Sequence, residues 1–114
     1  MHFELLFPSL FLKAADLAGK DVTLTVRHIQ MDELQIAGTS KKKNKAVMYF
    51  TETEAKAKKE GKEEKRLVLN RTNAEIVAKI HGKDTDLWIG KKITLYPTKT
   101  DFGNKRVDCI RVRD

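Results

Sequence analysis

Between Asp21 and His28 the chain alternates apolar and polar side chains with a period of two. Val22, Leu24 and Val26 share one face, and Thr23, Thr25 and Arg27 share the other. A helix cannot use that pattern, whereas a half-buried strand requires it, and the β-branched residues favour the extended backbone. Ile29 breaks the alternation, which predicts a bulge or bend near residues 28–30, with Leu34-Gln35-Ile36-Ala37 continuing the strand beyond it. The same reading recurs along the chain in short runs. Ala46-Val47-Met48-Tyr49-Phe50 is apolar on both faces, and Leu67-Val68-Leu69 is a third short run. Ile93-Thr94-Leu95-Tyr96 alternates again, with Ile93 and Leu95 inward, and Pro97 is expected to end regular pairing. A turn at Gly103-Asn104 leads into a last strand over residues 106–113, with Ile110 and Val112 on one face and Arg111 and Arg113 on the other.

Helical signals are few. Thr72-Asn73-Ala74-Glu75 has the spacing of a capping box ahead of Ile76, Val77 and Ile80, and Gly82 stands where a left-handed C-cap belongs. One short helix over residues 73–81 follows, with Ile76 and Ile80 toward the core. Residues 10–17 read as a short helix or turn with Ser9 as N-cap and Gly19 as its end. The segment Gly38-Thr39-Ser40-Lys41-Lys42-Lys43-Asn44-Lys45 reads as a basic connection, and residues 52–66 mix Lys and Glu around Gly61. That composition fits a solvated helical excursion and a mobile hairpin tip equally well.

The resulting order is strand, strand, strand, helix, strand, strand. It predicts an all-β domain, a β-barrel with one short helix between strands 3 and 4, in the manner of the five-stranded Greek-key OB-fold. An SH3-like barrel and an open α+β sheet are the runners-up. With 114 residues, one domain spans 1–114, and residues 38–66 hold the basic loop, strand 2 and the charged insert. Cys109 is the lone cysteine, which excludes an internal disulfide and suits a reducing cytosol. Met1-His2-Phe3-Glu4 lacks the positive start of a secretory signal, and no apolar stretch is long enough to span a bilayer. The expected location is cytoplasmic, with no membrane partner.

The charge is uneven as well as high. The formal net charge is +7, and residues 41–66 carry ten basic against five acidic groups, while residues 89–114 carry seven against three. Such a surplus points to a polyanionic partner. On the barrel reading, Lys41, Lys42, Lys43 and Lys45 fall in the first–second loop, and Lys99, Phe102, Lys105 and Arg106 in the fourth–fifth loop, the two loops that flank an OB-fold groove. Arg71 reaches the groove from the third strand or else forms a structural salt bridge. Tyr49, Phe50, Tyr96 and Phe102 are the candidate stacking platforms, each equally able to fill the core, whereas Trp88 reads as a core anchor. Cations beside aromatics are what a single strand needs: phosphates to neutralise and base faces to stack.

Metal and enzyme chemistry find little to stand on. His2, His28, His81 and Cys109 show no ligand spacing, there is no phosphate-binding glycine motif, and no histidine is expected beside Cys109. No cofactor and no catalysis are expected.

Several stretches carry a likeness: Phe7-Pro8-Ser9 with Lys13-Ala14-Ala15-Asp16-Leu17, then Leu67-Val68-Leu69-Asn70-Arg71-Thr72-Asn73-Ala74, and above all residues 84–97, Asp-Thr-Asp-Leu-Trp-Ile-Gly-Lys-Lys-Ile-Thr-Leu-Tyr-Pro. With Phe102-Gly103 and the terminal Ile110-Arg111-Val112-Arg113, the chain resembles a family of small phage- and prophage-encoded proteins regarded as OB-fold and single-stranded-DNA-binding-like. The resemblance implies fold and setting, with a role in phage replication or recombination inside the bacterial host cytoplasm. It carries no set of binding residues. The expected activity is non-sequence-specific binding of single-stranded DNA, with RNA or duplex as other nucleic-acid ligands. The competing expectation is a protein-interaction module that recruits a phage or host protein through the barrel face or a strand edge. The ending Arg111-Val112-Arg113-Asp114 lacks the acidic tail through which bacterial single-strand-binding proteins recruit partners.

Overall fold

The computed structural model describes residues 10–35 and 41–114, without the side chains of Gln35 and Phe102. It is mostly β: five antiparallel strands in one sheet, with two helices. The strands are β1 (Val22–Gln35), β2 (Lys42–Phe50), β3 (Leu67–Val68), β4 (Lys92–Phe102) and β5 (Lys105–Val112). The helices are α1 (Thr51–Glu60) and α2 (Arg71–His81), and short 3-10 turns cover Ala14–Leu17 and Thr85–Trp88. The sheet order is β3-β2-β1-β4-β5. Ser9, Ile36 and Ala37 lie outside the described residues.

β1 organises this sheet by pairing on its two edges in turn. Val22 to Thr25 pair with β4, and from Val26 onward the strand pairs with β2. The register shifts between Val26 and His28, slightly earlier than the alternation suggests, so Arg27 rather than Ile29 sits at the irregularity. The inward residues Leu24, Val26, Met48, Phe50, Ile93, Leu95, Ile110 and Val112 form the core with Leu17, Leu67, Val77 and Trp88. Trp88 is anchored there by donating its indole N–H to the Gly82 carbonyl, 2.7 Å away.

Pro97 does not end the pairing. It stays in β4 opposite Ile110, and its missing N–H costs nothing. Arg113 donates to the Thr94 carbonyl, so alternate β4 residues from Thr94 face β5, and Pro97 turns toward the side where β1 has already stopped at Val22.

The Lys/Glu segment resolves into α1 because its acids are used. Glu52 accepts from the Thr25 N–H (2.6 Å) and hydroxyl (2.7 Å), and Glu54 pairs with Arg27 (3.2 Å). Glu52 and Glu54 also stand in the first turn and Lys58 and Lys59 in the last, matching the helix dipole, and Gly61 closes the helix at φ 65°. Only Ala57 is buried, so polar tethers to β1 carry much of the helix's attachment.

α2 departs from the capping-box reading. Asn70, not Thr72, is the N-cap, accepting from the Asn73 N–H at 2.8 Å, and the helix starts at Arg71. The buried face runs through Asn73 and Val77, about 60° round the helix from the Ile76–Ile80 line, and Ile80 is 42% exposed rather than in the core. Gly82 is not left-handed either, but its φ of 103° and ψ of 164° are a backbone conformation that only glycine adopts readily.

β3 and β5 are the two edges of the sheet, and α2 spans the gap between them. Asn73, 1% exposed, donates its amide to the Ile110 carbonyl (2.9 Å) and accepts from the Val112 N–H (3.2 Å). Its carboxamide thus meets the outer edge of β5 as a neighbouring strand's peptide group would. On β3, residues 10–12 add a parallel bridge to Arg66, with Leu12 N–H on the Arg66 carbonyl and Arg66 N–H on the Leu10 carbonyl.

Replacing Asn73 by Ala strands two buried backbone groups. At about 1–3 kcal/mol each, the loss is about 2–6 kcal/mol in equilibrium urea unfolding, with the slope unchanged. Asn73→Ala within 0.5 kcal/mol of wild type would show that the bridge does not hold the fold.

Candidate nucleic-acid interface

The antiparallel registers create two ribbons with no third strand beside them among the described residues. In the first, Asp32 to Gln35 pair with Lys45 to Lys42, four residue pairs reaching about 14 Å past the sheet body. In the second, Thr98 to Phe102 pair with Cys109 to Lys105. β4 runs antiparallel to β1 and continues past Val22, whereas Lys42–Lys45 pair with the far end of β1, so the ribbons leave opposite ends of that strand.

Lys42, Lys43 and Lys45 are therefore strand residues rather than loop residues, and Lys41 directly precedes β2. All four are exposed. Among the described residues no ion pair engages Lys42, Lys43 or Lys45, although Asp32 and Glu33 lie on the facing strand. The second ribbon is different. Lys99 faces Asp108 (3.9 Å) and Arg106 faces Asp101 (4.0 Å), so two of its three candidate cations stand beside carboxylates. Lys99, Lys105 and Arg106 occupy the arms of this hairpin, not a loop, and only Gly103 and Asn104 turn. Arg71 opens α2, exposed, and pairs with Glu75 one turn on (2.9 Å).

The aromatics separate by burial. Phe50 is fully buried in the core, which removes it as a stacking platform. The Phe102 side chain lies outside the described residues. Tyr96 is half-buried, and the Arg113 guanidinium lies over its ring, 3.9 Å from the centroid. Asp21 holds that guanidinium with two 3.0 Å bonds, and this pairing brings the Asp21 carboxyl below its usual range.

Tyr49 is the centre of a polar cluster on the outer face of β1 and β2. Its ring, 5% exposed, stacks on His28 with centroids 4.2 Å apart and planes 13° from parallel. The Arg66 guanidinium lies 5.0 Å from the ring centroid and that of Arg27 5.7 Å. The hydroxyl donates to Asp32 (2.8 Å) and accepts from Gln30 (3.1 Å) and Arg66 (3.3 Å). Arg27 in turn pairs with both Glu54 and Glu64. Burial, reinforced by the Asp32 carboxylate, pushes the Tyr49 phenol above its usual range, against the pull of Arg66.

Residues two apart on a strand share a face, so Lys43, Lys45, Val47 and Tyr49 form one row on β2. Two free ammonium groups at the ribbon end thus lead toward a ring already in contact with His28 and Arg66. The supporting residues Arg27, His28 and Arg66 escape a sequence reading because they come from two segments far apart in sequence and converge on Tyr49 in a third. The one local signal is His28, where the alternation of β1 fails.

Tyr49→Phe removes the hydroxyl from three partners and is expected to cost about 1 kcal/mol, read by urea unfolding. Since the folded chain holds this proton more tightly than the unfolded one, the contribution is intact below the ordinary value of 10.0 and lost as pH rises beyond it. Phenolate absorbance should show one component titrating above pH 10.0 that is missing in Tyr49→Phe; if the component lost in Tyr49→Phe is instead centred at 10.0, the hydroxyl lies in water. Comparison with protein families, curated proteins and solved structures finds no match to this chain.

Proposed function

We propose that this chain is an OB-fold-like module that binds single-stranded DNA without sequence preference, through lysine–phosphate contacts along β2 and base stacking at its outer face. The observation that carries this reading is the row Lys43, Lys45, Val47, Tyr49, in which unpaired exposed cations and an aromatic share one face of one strand. Several features support the architecture: the five-strand order with α2 between β3 and β4, the irregular β1 shared between two partners, and the helix across the gap between the edge strands. The resemblance to small phage-encoded proteins supports a place in phage replication or recombination, in a bacterial cytoplasm.

On this reading affinity is mainly electrostatic. Each neutralised phosphate contributes about −0.7 to the slope of log K against log salt for a single strand. Stacking at Tyr49 requires His28 or Arg66 to yield its place on the ring, and a stacked base recovers roughly 1–3 kcal/mol.

The test is fluorescence anisotropy with labelled oligo-dT, a duplex of equal length and single-stranded RNA, each at low and moderate salt. Oligo-dT is expected to bind best, with a salt slope that becomes shallower by about 2 when Lys42, Lys43 and Lys45 are all changed to Glu. Binding of all three nucleic acids alike would redirect the reading to a general polyanion binder. No binding even at low salt would sink it and favour the protein-interaction alternative.

A further inference from the structure

The β4–β5 ribbon has two backbone edges, and only one is guarded. On the β4 edge Pro97 removes a donor. On the β5 edge the facing pattern follows from the Arg113 bond to Thr94, which turns Arg106, Asp108, Ile110 and Val112 outward. Asn73 takes the Ile110 carbonyl and the Val112 N–H. Among the described residues nothing bonds the outward backbone groups of Arg106 and Asp108, or the Ile110 N–H.

We propose that this edge pairs antiparallel with the same edge of a second copy of the chain, about a two-fold axis at Val107, making one four-stranded sheet. The inference is independent of nucleic-acid binding. A two-fold contact must be self-complementary, and the charges choose the register. Centred on Asp108 the pairing sets Asp against Asp, and centred on Arg106 it sets Arg against Arg. Centred on Val107 it places Arg106 of each copy opposite Asp108 of the other, and these are outward-facing residues that can exchange both backbone bonds. Val107, 38% exposed, then meets its own copy at the axis.

The pairs inside each hairpin extend the match. Lys99 faces Asp108 and Asp101 faces Arg106 on the same face of the ribbon. Across the four strands each row therefore reads Lys99, Asp108, then Arg106 and Asp101 of the second copy, alternating in sign throughout. Charged edges ordinarily block strand addition; this edge blocks every partner strand except one carrying the complementary sequence. The same register sets Asn104 of the second copy opposite Ile110. There a cleft of about 420 Å³ between Leu12, Lys13, Val68, Asn70 and Ile110 leaves room for the incoming turn.

Sedimentation equilibrium on the full chain, from micromolar to ~1 mM, tests the pairing. Arg106→Asp and Asp108→Arg each replace attraction by repulsion at both symmetric positions, and each is expected to weaken self-association at least about tenfold. Mixed one to one, the two variants restore opposite charges across the axis at both symmetric positions, while each keeps one like-charged pair inside its own hairpin; the mixture should regain self-association that neither variant shows alone, which also shows both to be folded. A wild-type monomer throughout the range overturns the proposal, as does a dimer indifferent to either substitution or a mixture that stays monomeric. The register has its own readout. In a Cys109→Ser background, Val107→Cys is expected to oxidise to a covalent dimer, because facing non-hydrogen-bonded residues lie about 4.5 Å apart at Cα. Thr100→Cys, one strand inboard, is expected not to. Equal cross-linking of both would overturn the two-fold at Val107.

Discussion

The bridge from Asn73 to the outer edge of β5 is the interaction on which the arrangement depends. A five-stranded sheet that ends in β3 and β5 exposes the backbone of both, and a side-chain amide, with a donor and an acceptor set apart as in a peptide group, can satisfy a carbonyl and an N–H on one edge at once. Asn70 caps the helix by accepting from the Asn73 N–H, and the i, i+4 spacing points Asn73 and Val77 inward together. Burial of a polar residue is expensive without partners and stabilising with them. Asn73 has both, and α2 is thereby locked to the sheet at a defined rotation, with Val77 and Trp88 packed beneath.

Strand positions were legible because alternation is a local property. The β1 start, β4, β5 and the Gly103-Asn104 turn follow from residues that are neighbours in sequence. What escaped was decided by distant partners. The Lys/Glu run was ambiguous until Glu52 and Glu54 were seen to reach Thr25 and Arg27. Ile80 looked like core because it stands one turn beyond Ile76 as an apolar pair, and the sequence does not reveal that the sheet edge draws the polar Asn73 inward instead. Pro97 looked like a terminator because sequence does not reveal on which side of β4 a neighbour is missing.

The candidate site was less legible than the fold. Residue type alone cannot separate a lysine that is free, such as Lys43, from one beside a carboxylate, such as Lys99, since the difference lies in what the facing strand carries. The aromatics divide in the same way. Phe50 and Tyr49 are adjacent in sequence and point to opposite faces, one into the core and the other into a cluster of arginines, a histidine and an aspartate. A consequence is that net charge overstates the reach of this protein toward polyanions, because part of the second basic segment, Lys99, Arg106 and Arg113, stands beside carboxylates.

The division of β1 between two partners also shapes how the chain can assemble itself. β1 with β2, and β4 with β5, are neighbours in sequence joined by short connections, so each hairpin closes at little entropic cost. The seam between Val22–Thr25 and Lys92–Leu95 joins residues some seventy positions apart, as does the pair Thr23 and Thr94, whose hydroxyls meet at 2.8 Å. Contacts of such separation are slow to form. The molecule is thus two sequence-local hairpins joined by long-range contacts, and the backbone at Val26, bonded to Gly90 and Lys91 on one side and set against Phe50 on the other, is where β1 passes from one hairpin to the other.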